Sequence, residues 1–304
     1  MWRVNKIFTG NFLITIAIGT LLVFSSVSLI RNDNNYSNGD DSSSEYNREL
    51  VIETGASNAP QVNDFSIDAV VEETSKNNID SNKKIWLNSG AYFISTGGIA
   101  KTVQNKLPEN DPWRLLYAKN NPRDTDFGFY PQNIFRLVTI GLWDNLKQEG
   151  YFRIVKDNKS NSEYRNDSNG LLFFNRYQDG DNLYYTGIRV DGFAVIKKKI
   201  KGKYFTLAYN QIYPGKYDRE KNPNLLPHGE WIGLRSEVKD IDDNSVSVKL
   251  FIDRERNGNW ELVAEAIDEG KKYGKKPFFE AGHGGIRTDF MDVEFDDYRI
   301  EELK

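Results

Sequence analysis

The stretch Trp231-Ile232-Gly233-Leu234-Arg235-Ser236-Glu237-Val238 decides the fold. Ile232, Leu234 and Val238 share one parity, Trp231, Arg235 and Glu237 the other, and a period of two marks a strand with one face on a core. Downstream, Val246, Val248, Leu250 and Ile252 alternate in the same way against Ser245, Ser247 and Lys249. Similar short runs predict strands near 113–118, 133–139, 151–155, 171–176, 183–190, 193–200, 204–208, 260–266 and 293–300, about a dozen in all. Asp191-Gly192, Lys201-Gly202 and Asn257-Gly258 offer the positive φ of tight turns, so consecutive strands are expected to pair as antiparallel hairpins. Helical periodicity is nearly absent and no fixed repeat occurs, which argues against a propeller or solenoid. The expectation is an all-β fold, a two-sheet antiparallel jelly-roll sandwich over residues 85–304.

Composition narrows the chemistry. The 304 residues carry 40 Lys+Arg against 44 Asp+Glu, a net charge of -4, so no global basic field exists to hold a nucleic acid. With no cysteine, thiol nucleophiles, Cys-ligated zinc, iron–sulfur clusters and disulfides are excluded. The two histidines, His228 and His283, read as loop residues and leave little room for a multi-His metal site.

Upstream of the sandwich, Arg3 and Lys6 precede an uncharged stretch from Ile7 to Ile30, closed by Arg31. Roughly 20 apolar residues cross a bilayer, so residues 1–31 are expected to be a transmembrane anchor or a signal. The positive-inside bias sends everything after Arg31 outside. The expected location is therefore the cell surface, or the exterior if Ser26 and Ser28 mark a cleavage site. Residues 32–84, rich in Asn, Ser, Asp and Glu, read as a flexible polar linker with brief apolar islands such as Ala69-Val70-Val71.

The succession Leu171-Leu172-Phe173-Phe174-Asn175-Arg176-Tyr177, Asn182-Leu183-Tyr184-Tyr185, Arg189-Val190-Asp191-Gly192, Glu230-Trp231, Phe251-Ile252-Asp253 and Val293-Glu294-Phe295-Asp296-Asp297-Tyr298 resembles a concanavalin A-like lectin/glucanase domain of the laminin-G type. The resemblance spans about residues 85–301. It implies a sandwich whose concave sheet meets a ligand, but that superfamily includes lectins, adhesion modules, glycosidases and lyases, so the fold does not choose among them.

Candidate binding residues are Arg136, Arg176, Tyr185, Arg189, Trp231, Arg235 and Glu237. Guanidinium forks suit carboxylate or sulfate groups on a sugar chain, and flat aromatic faces suit its apolar ring faces. The bland alternative is scattered, cross-strand-paired surface residues. On this reading the chain is a carbohydrate-binding or adhesion module for a polysaccharide or glycoprotein, held at the membrane by its N-terminal segment.

The rival expectation is a polysaccharide-degrading enzyme. Arg235-Ser236-Glu237-Val238-Lys239 resembles the arginine-rich strand of jelly-roll alginate lyases, and the segment from Tyr204 to Gln211 resembles their tyrosine strand, which implies Arg235 as carboxylate neutraliser with Tyr209 as base and Glu237 beside them. The two segments occur here in reversed order. A retaining glucanase needs a second acid near Glu294-Phe295-Asp296-Asp297-Tyr298, where Arg299 and Ile300 stand instead. No cofactor is expected. Asp253, Glu255, Asn257 and Asn259 space oxygens like a calcium loop, but Arg254 and Arg256 oppose a cation and Ala264 occupies the twelfth position, so a hairpin turn is favoured. Lys197, Lys198, Lys199, Lys201 and Lys203 bracket the Gly202 turn; an anionic glycan or membrane surface could use them, but a lysine-rich hairpin blunting a sheet edge is favoured.

Overall fold

A computed structural model describes residues 60–63, 65–80 and 83–304. The expected anchor at 1–31 and the linker up to residue 59 lie outside the described residues, among which no helix is long and apolar enough to cross a membrane. In chain order the strands are β1 (Gln61–Asn63), β2 (Ala69–Glu72), β3 (Ile85–Ser89), β4 (Tyr92–Thr96), β5 (Ile99–Thr102), β6 (Ile134–Thr139), β7 (Leu146–Asp157) and β8 (Gly170–Asp179). There follow β9 (Asn182–Arg189), β10 (Phe193–Ile200), β11 (Lys203–Gln211), β12 (Trp231–Asp242), β13 (Ser245–Asp253), β14 (Glu261–Asp268), β15 (His283–Asp289) and β16 (Met291–Glu302), and among the described residues one α-helix, α1 (Pro112–Asn120), precedes β6.

Two antiparallel sheets form the sandwich. Sheet 1 runs β14-β13-β12-β7-β16-β5-β4-β2, with β1 on β16, and sheet 2 runs β11-β10-β9-β8-β15-β6-β3. Between them Ile232, Leu234, Val248, Leu250, Phe152 and Phe295 of sheet 1 meet Phe135, Leu137, Phe173, Ile188 and Ile196 of sheet 2. The parity read from β12 and β13 is the parity observed. All three expected hairpin turns form: Gly192, Lys201, Gly202 and Gly258 carry positive φ between strands that pair antiparallel.

Three local expectations change. Residues 113–118 form α1 rather than a strand, because Asp111 Oδ1 accepts from the amides of Trp113 (2.8 Å) and Arg114 (3.2 Å) and Pro112 opens the first turn. Asp111→Ala is expected to cost about 1 kcal/mol in urea unfolding. The linker boundary at residue 84 also moves: β2 pairs with β4, β1 with β16, and Phe65 enters the core against Phe93 (6.2 Å) and Phe295 (5.2 Å). Finally, β15 was not expected. Its glycines lie where neighbours approach closely: a Cβ on Gly285 would sit 2.3 Å from the Leu137 carbonyl oxygen, and one on Gly284 2.3 Å from Ile300 Cδ1.

The loop entering β12 is latched to β7. Gly229 donates to the Ile154 carbonyl (2.9 Å), His228 Nδ1 lies 3.1 Å from the Leu226 carbonyl, and Nε2 lies 3.1 Å from Asp157 Oδ2. Both ring nitrogens thus face acceptors, chiefly Asp157, and the imidazole titrates above its ordinary value despite some burial. A raised folded pKa stabilises fully below the unfolded value and is lost as pH rises through the folded one. His228→Gln should therefore lower the melting temperature at pH 5.5 and leave it unchanged at pH 8.5.

Candidate binding face

Strand alternation sorts the candidate residues by side, and pairing sorts them by sheet. On sheet 2 the side chains pointing away from the core include Trp86, Val138, Leu172, Phe174, Leu183, Tyr185 and Val195, a second apolar layer with Ile79, Ile140 and Tyr177 packed on it. Arg136 (β6), Arg189 (end of β9), Lys197 and Lys199 (β10), Tyr204 (β11) and Arg287 (β15) share this outward parity. The register places Arg136 directly opposite Arg287, and runs Phe174, Tyr185 and Lys197 across β8, β9 and β10.

These groups touch. The Tyr185 and Tyr204 rings lie 6.0 Å apart at 30°. Arg287 Nη1 donates to Tyr185 Oη (3.3 Å), its Nε donates to Asp289 Oδ1 (2.9 Å), and its Cζ is 5.4 Å from the Tyr185 ring centroid. Lys197 Nζ is 5.7 Å and Lys199 Nζ 5.1 Å from the Tyr204 ring. Tyr185 is buried, whereas Tyr204 is 37% exposed, so it is the aromatic ring of this pair that solvent reaches. Burial alone would raise the Tyr204 phenol, but Arg287, Lys199 and the hydrogen bond from Tyr185 together hold it below its ordinary value. Tyr185 moves the other way, through burial and then the Tyr204 charge. Burial, with Arg189 and Arg287 nearby, lowers Lys197.

At one end, Tyr209 stacks on Phe193 at 4.0 Å and 4°, with Arg189 5.0 Å over its ring. Arg189 pairs with Asp191 (2.9 Å) and Asp167 (3.1 Å), and Tyr209 Oη donates to Asp191 Oδ2 (2.6 Å). Burial and that hydrogen bond push the Tyr209 phenol up to about 12, so it stays protonated at neutral pH. This end of the face is self-satisfied.

Trp231, Arg235 and Glu237 point outward from sheet 1, on the opposite side of the sandwich. Glu237 stands opposite Lys147 and Lys249, while Trp231 and Arg235 join a surface ladder: Arg153 lies 4.6 Å over Trp231, Arg256 4.7 Å over Trp231 and 4.9 Å over Tyr151, Tyr151 is 5.9 Å from Trp260, and Arg235 is 4.1 Å over Trp260. Each guanidinium has a carboxylate partner: Arg153 with Glu294, Arg235 with Glu149 (2.7 Å) and Arg256 with Asp296 (2.5 Å). Arg235 is therefore not brought together with Tyr209, and the lyase pair expected from sequence does not assemble.

Arg176 joins neither face. It is fully buried, donating through Nε to the Asp144 carbonyl (2.7 Å) and through Nη1 to the Phe278 carbonyl, with Nη2 paired to Asp240 (2.7 Å). Its φ of 48° sits in the irregular pairing after Asn175, which breaks the alternation that would have sent it outward. The Asp253 loop is a closed turn, the carboxylate accepting from Tyr151 Oη (3.0 Å) and from the amides of Glu255 (3.2 Å), Asn257 (3.3 Å) and Gly258 (2.8 Å). Sequence reading did not single out Arg287 or Tyr204, and it favoured an edge-blunting role for Lys197. The alternation Ile286, Arg287, Thr288, Asp289 carried the first, masked by the glycines before it.

No protein-family model and no curated protein sequence matches the chain. Solved structures that resemble it include the carbohydrate-binding module CBM66 from Bacillus subtilis, at 13% identity and TM-score 0.38 over 56% of this chain and 83% of that one. A GH43 protein from Bacillus licheniformis gives 11% and 0.42 over 80% of this chain, which spans only 39% of that protein. The exoplasmic/lumenal domain of VIP36 in a Ca2+/Man-bound form gives 7% and 0.37 over 77% of this chain and 89% of that one.

Proposed function

We propose that the sandwich is a carbohydrate-binding or adhesion module that lays a polysaccharide or glycoconjugate along the outward face of sheet 2. One observation carries the reading: Arg136, Tyr185, Lys197, Tyr204 and Arg287, from separate strands, converge on one face over an apolar floor. The exposed Tyr204 ring takes the apolar face of a sugar, while the guanidinium and ammonium groups and the phenols hold its oxygens. On sheet 1 the outward Trp231 and Trp260 are instead covered by Arg256 and Arg235, which are already paired with Asp296 and Glu149. On the strength of the apolar segment from Ile7 to Ile30, the module works outside the cell, anchored to the membrane or released from it.

A glycan array probed with the full chain tests this. Tyr204→Ala should weaken binding by roughly fivefold or more, the loss of about 1 kcal/mol of ring contact, while Trp231→Ala on the other face should leave it unchanged. Binding to no glycan, or equal effects of the two substitutions, would contradict the proposal.

A further inference from the structure

We infer that the ligand of this face is an anionic polysaccharide, its charges carried as carboxylates or sulfate esters, with Lys197 and Arg287 as the residues that select for charge. The inference rests on the binding role proposed above and adds the ligand class. Its first support is the direct cross-strand opposition of Arg136 and Arg287, an arrangement of like charges that weakens a sheet unless something offsets it. Asp289 supplies an acid to Arg287, and Glu73 lies within electrostatic reach of Arg136.

The second support is Lys197. Lys199, two residues on, pairs with Asp181 at 3.1 Å and donates to the Gly180 carbonyl at 2.7 Å. Lys197, opposite Tyr185 on β9 and Thr206 on β11, has its ammonium 5.7 Å from the Tyr204 ring centroid, and among the described residues it makes no ion pair. Burial first, and then Arg189 and Arg287, hold its ammonium below the ordinary lysine value, with Tyr204 and Asp167 acting the other way, and a bound anion would offset the repulsive part.

The third support is the contrast with sheet 1. There, Arg153, Arg235, Arg256 and Arg299 are each matched by Glu294, Glu149, Asp296 and Glu301, respectively. On sheet 2 Arg189, Lys199 and Arg287 are matched as well, by Asp191, Asp181 and Asp289, which sets Lys197 apart: among the described residues it makes no ion pair, in a chain that is acidic as a whole at net -4. Guanidinium groups bind carboxylate and sulfate oxygens in a fork, and an adjacent ammonium adds a point charge.

The test is titration calorimetry of the full chain with three polymers: neutral dextran, dextran sulfate and polygalacturonate. Either or both anionic polymers should bind at least tenfold tighter than dextran, with affinity falling as salt rises, and the better of the two identifies the anion. Lys197→Met should lower that affinity about tenfold without lowering the melting temperature, because it removes a repelled charge while keeping the stem. Lys249→Met, on the outward side of sheet 1, should change neither. Equal binding of dextran, or anionic binding insensitive to Lys197→Met, would overturn the inference. Equal binding of oligodeoxythymidylate would overturn it too, by showing an unselective polyanion surface. If the array yields only neutral glycans that depend on Tyr204, the anionic class fails while the binding role stands; if no sugar binds at all, both fail.

Discussion

Lys198→Met is expected to destabilise the sandwich by about 3–5 kcal/mol in urea unfolding, the largest effect of any single change considered. Lys198 and Asp268 pair at 2.8 Å with both side chains fully inaccessible, one from each sheet, so the pair bridges the layers. Around it the network is complete. Lys198 Nζ also donates to the carbonyls of Lys275 (3.2 Å) and Lys276 (2.7 Å), Asp268 accepts from Tyr184 Oη (2.6 Å) and from the Gly270 amide (2.9 Å), and Tyr184 Oη accepts from the Phe278 amide (3.1 Å). Removing the cation leaves a carboxylate and two carbonyls in the interior without their donor, and that desolvation dominates the cost. Lys198→Met combined with Asp268→Leu should recover most of the loss, because an apolar pair removes both charges together. A single-variant loss under about 1 kcal/mol would show that the interior tolerates the lone acid through water, contrary to this account.

Phe65→Ala should cost about 3 kcal/mol, and a chain beginning at residue 85 should lose more. Phe65 is 8% exposed and meets Phe93 and Phe295 edge-on, within a cluster that Phe135 extends to the opposite sheet at 5.6 Å from Phe295. The shorter chain also loses β1 from β16 and β2 from β4, uncovering two ladders, and loses Glu73, which accepts from the Ala91 amide (3.0 Å) and from the Tyr117 hydroxyl. Comparing chains that begin at residues 60 and 85 by thermal unfolding separates these contributions. Equal melting temperatures would mean that residues 60–80 decorate the sandwich rather than complete it.

How much of this was legible from sequence depended on the range of the interactions. Parity within a strand is local, so the inward and outward sides of β12 and β13 were readable residue by residue, as were the outward positions of Arg136, Tyr185 and Arg189. Membership of a sheet is not local. Nothing within the run from Trp231 to Val238 says that β12 lies beside β7 in sheet 1, and that pairing is what sends Arg235 to the far side from Tyr209. Arg176 shows the limit of parity itself, because one residue with φ of 48° after Asn175 turns an outward position into a buried anchor. The signal for α1 was present in Asp111-Pro112 but was outweighed by the aromatic and aliphatic run behind it. In β15 the glycines that let neighbouring groups approach also hid the strand and, with it, Arg287.

The central claim is that sugar meets the outward face of sheet 2 and not that of sheet 1. A crystal of the protein soaked with the strongest-binding sugar from the array tests it most directly. The account predicts electron density for the sugar against Tyr204 and Arg287, within reach of Lys197. Density against Trp231 and Trp260, or confined to the loops at either end of the sandwich, would contradict it.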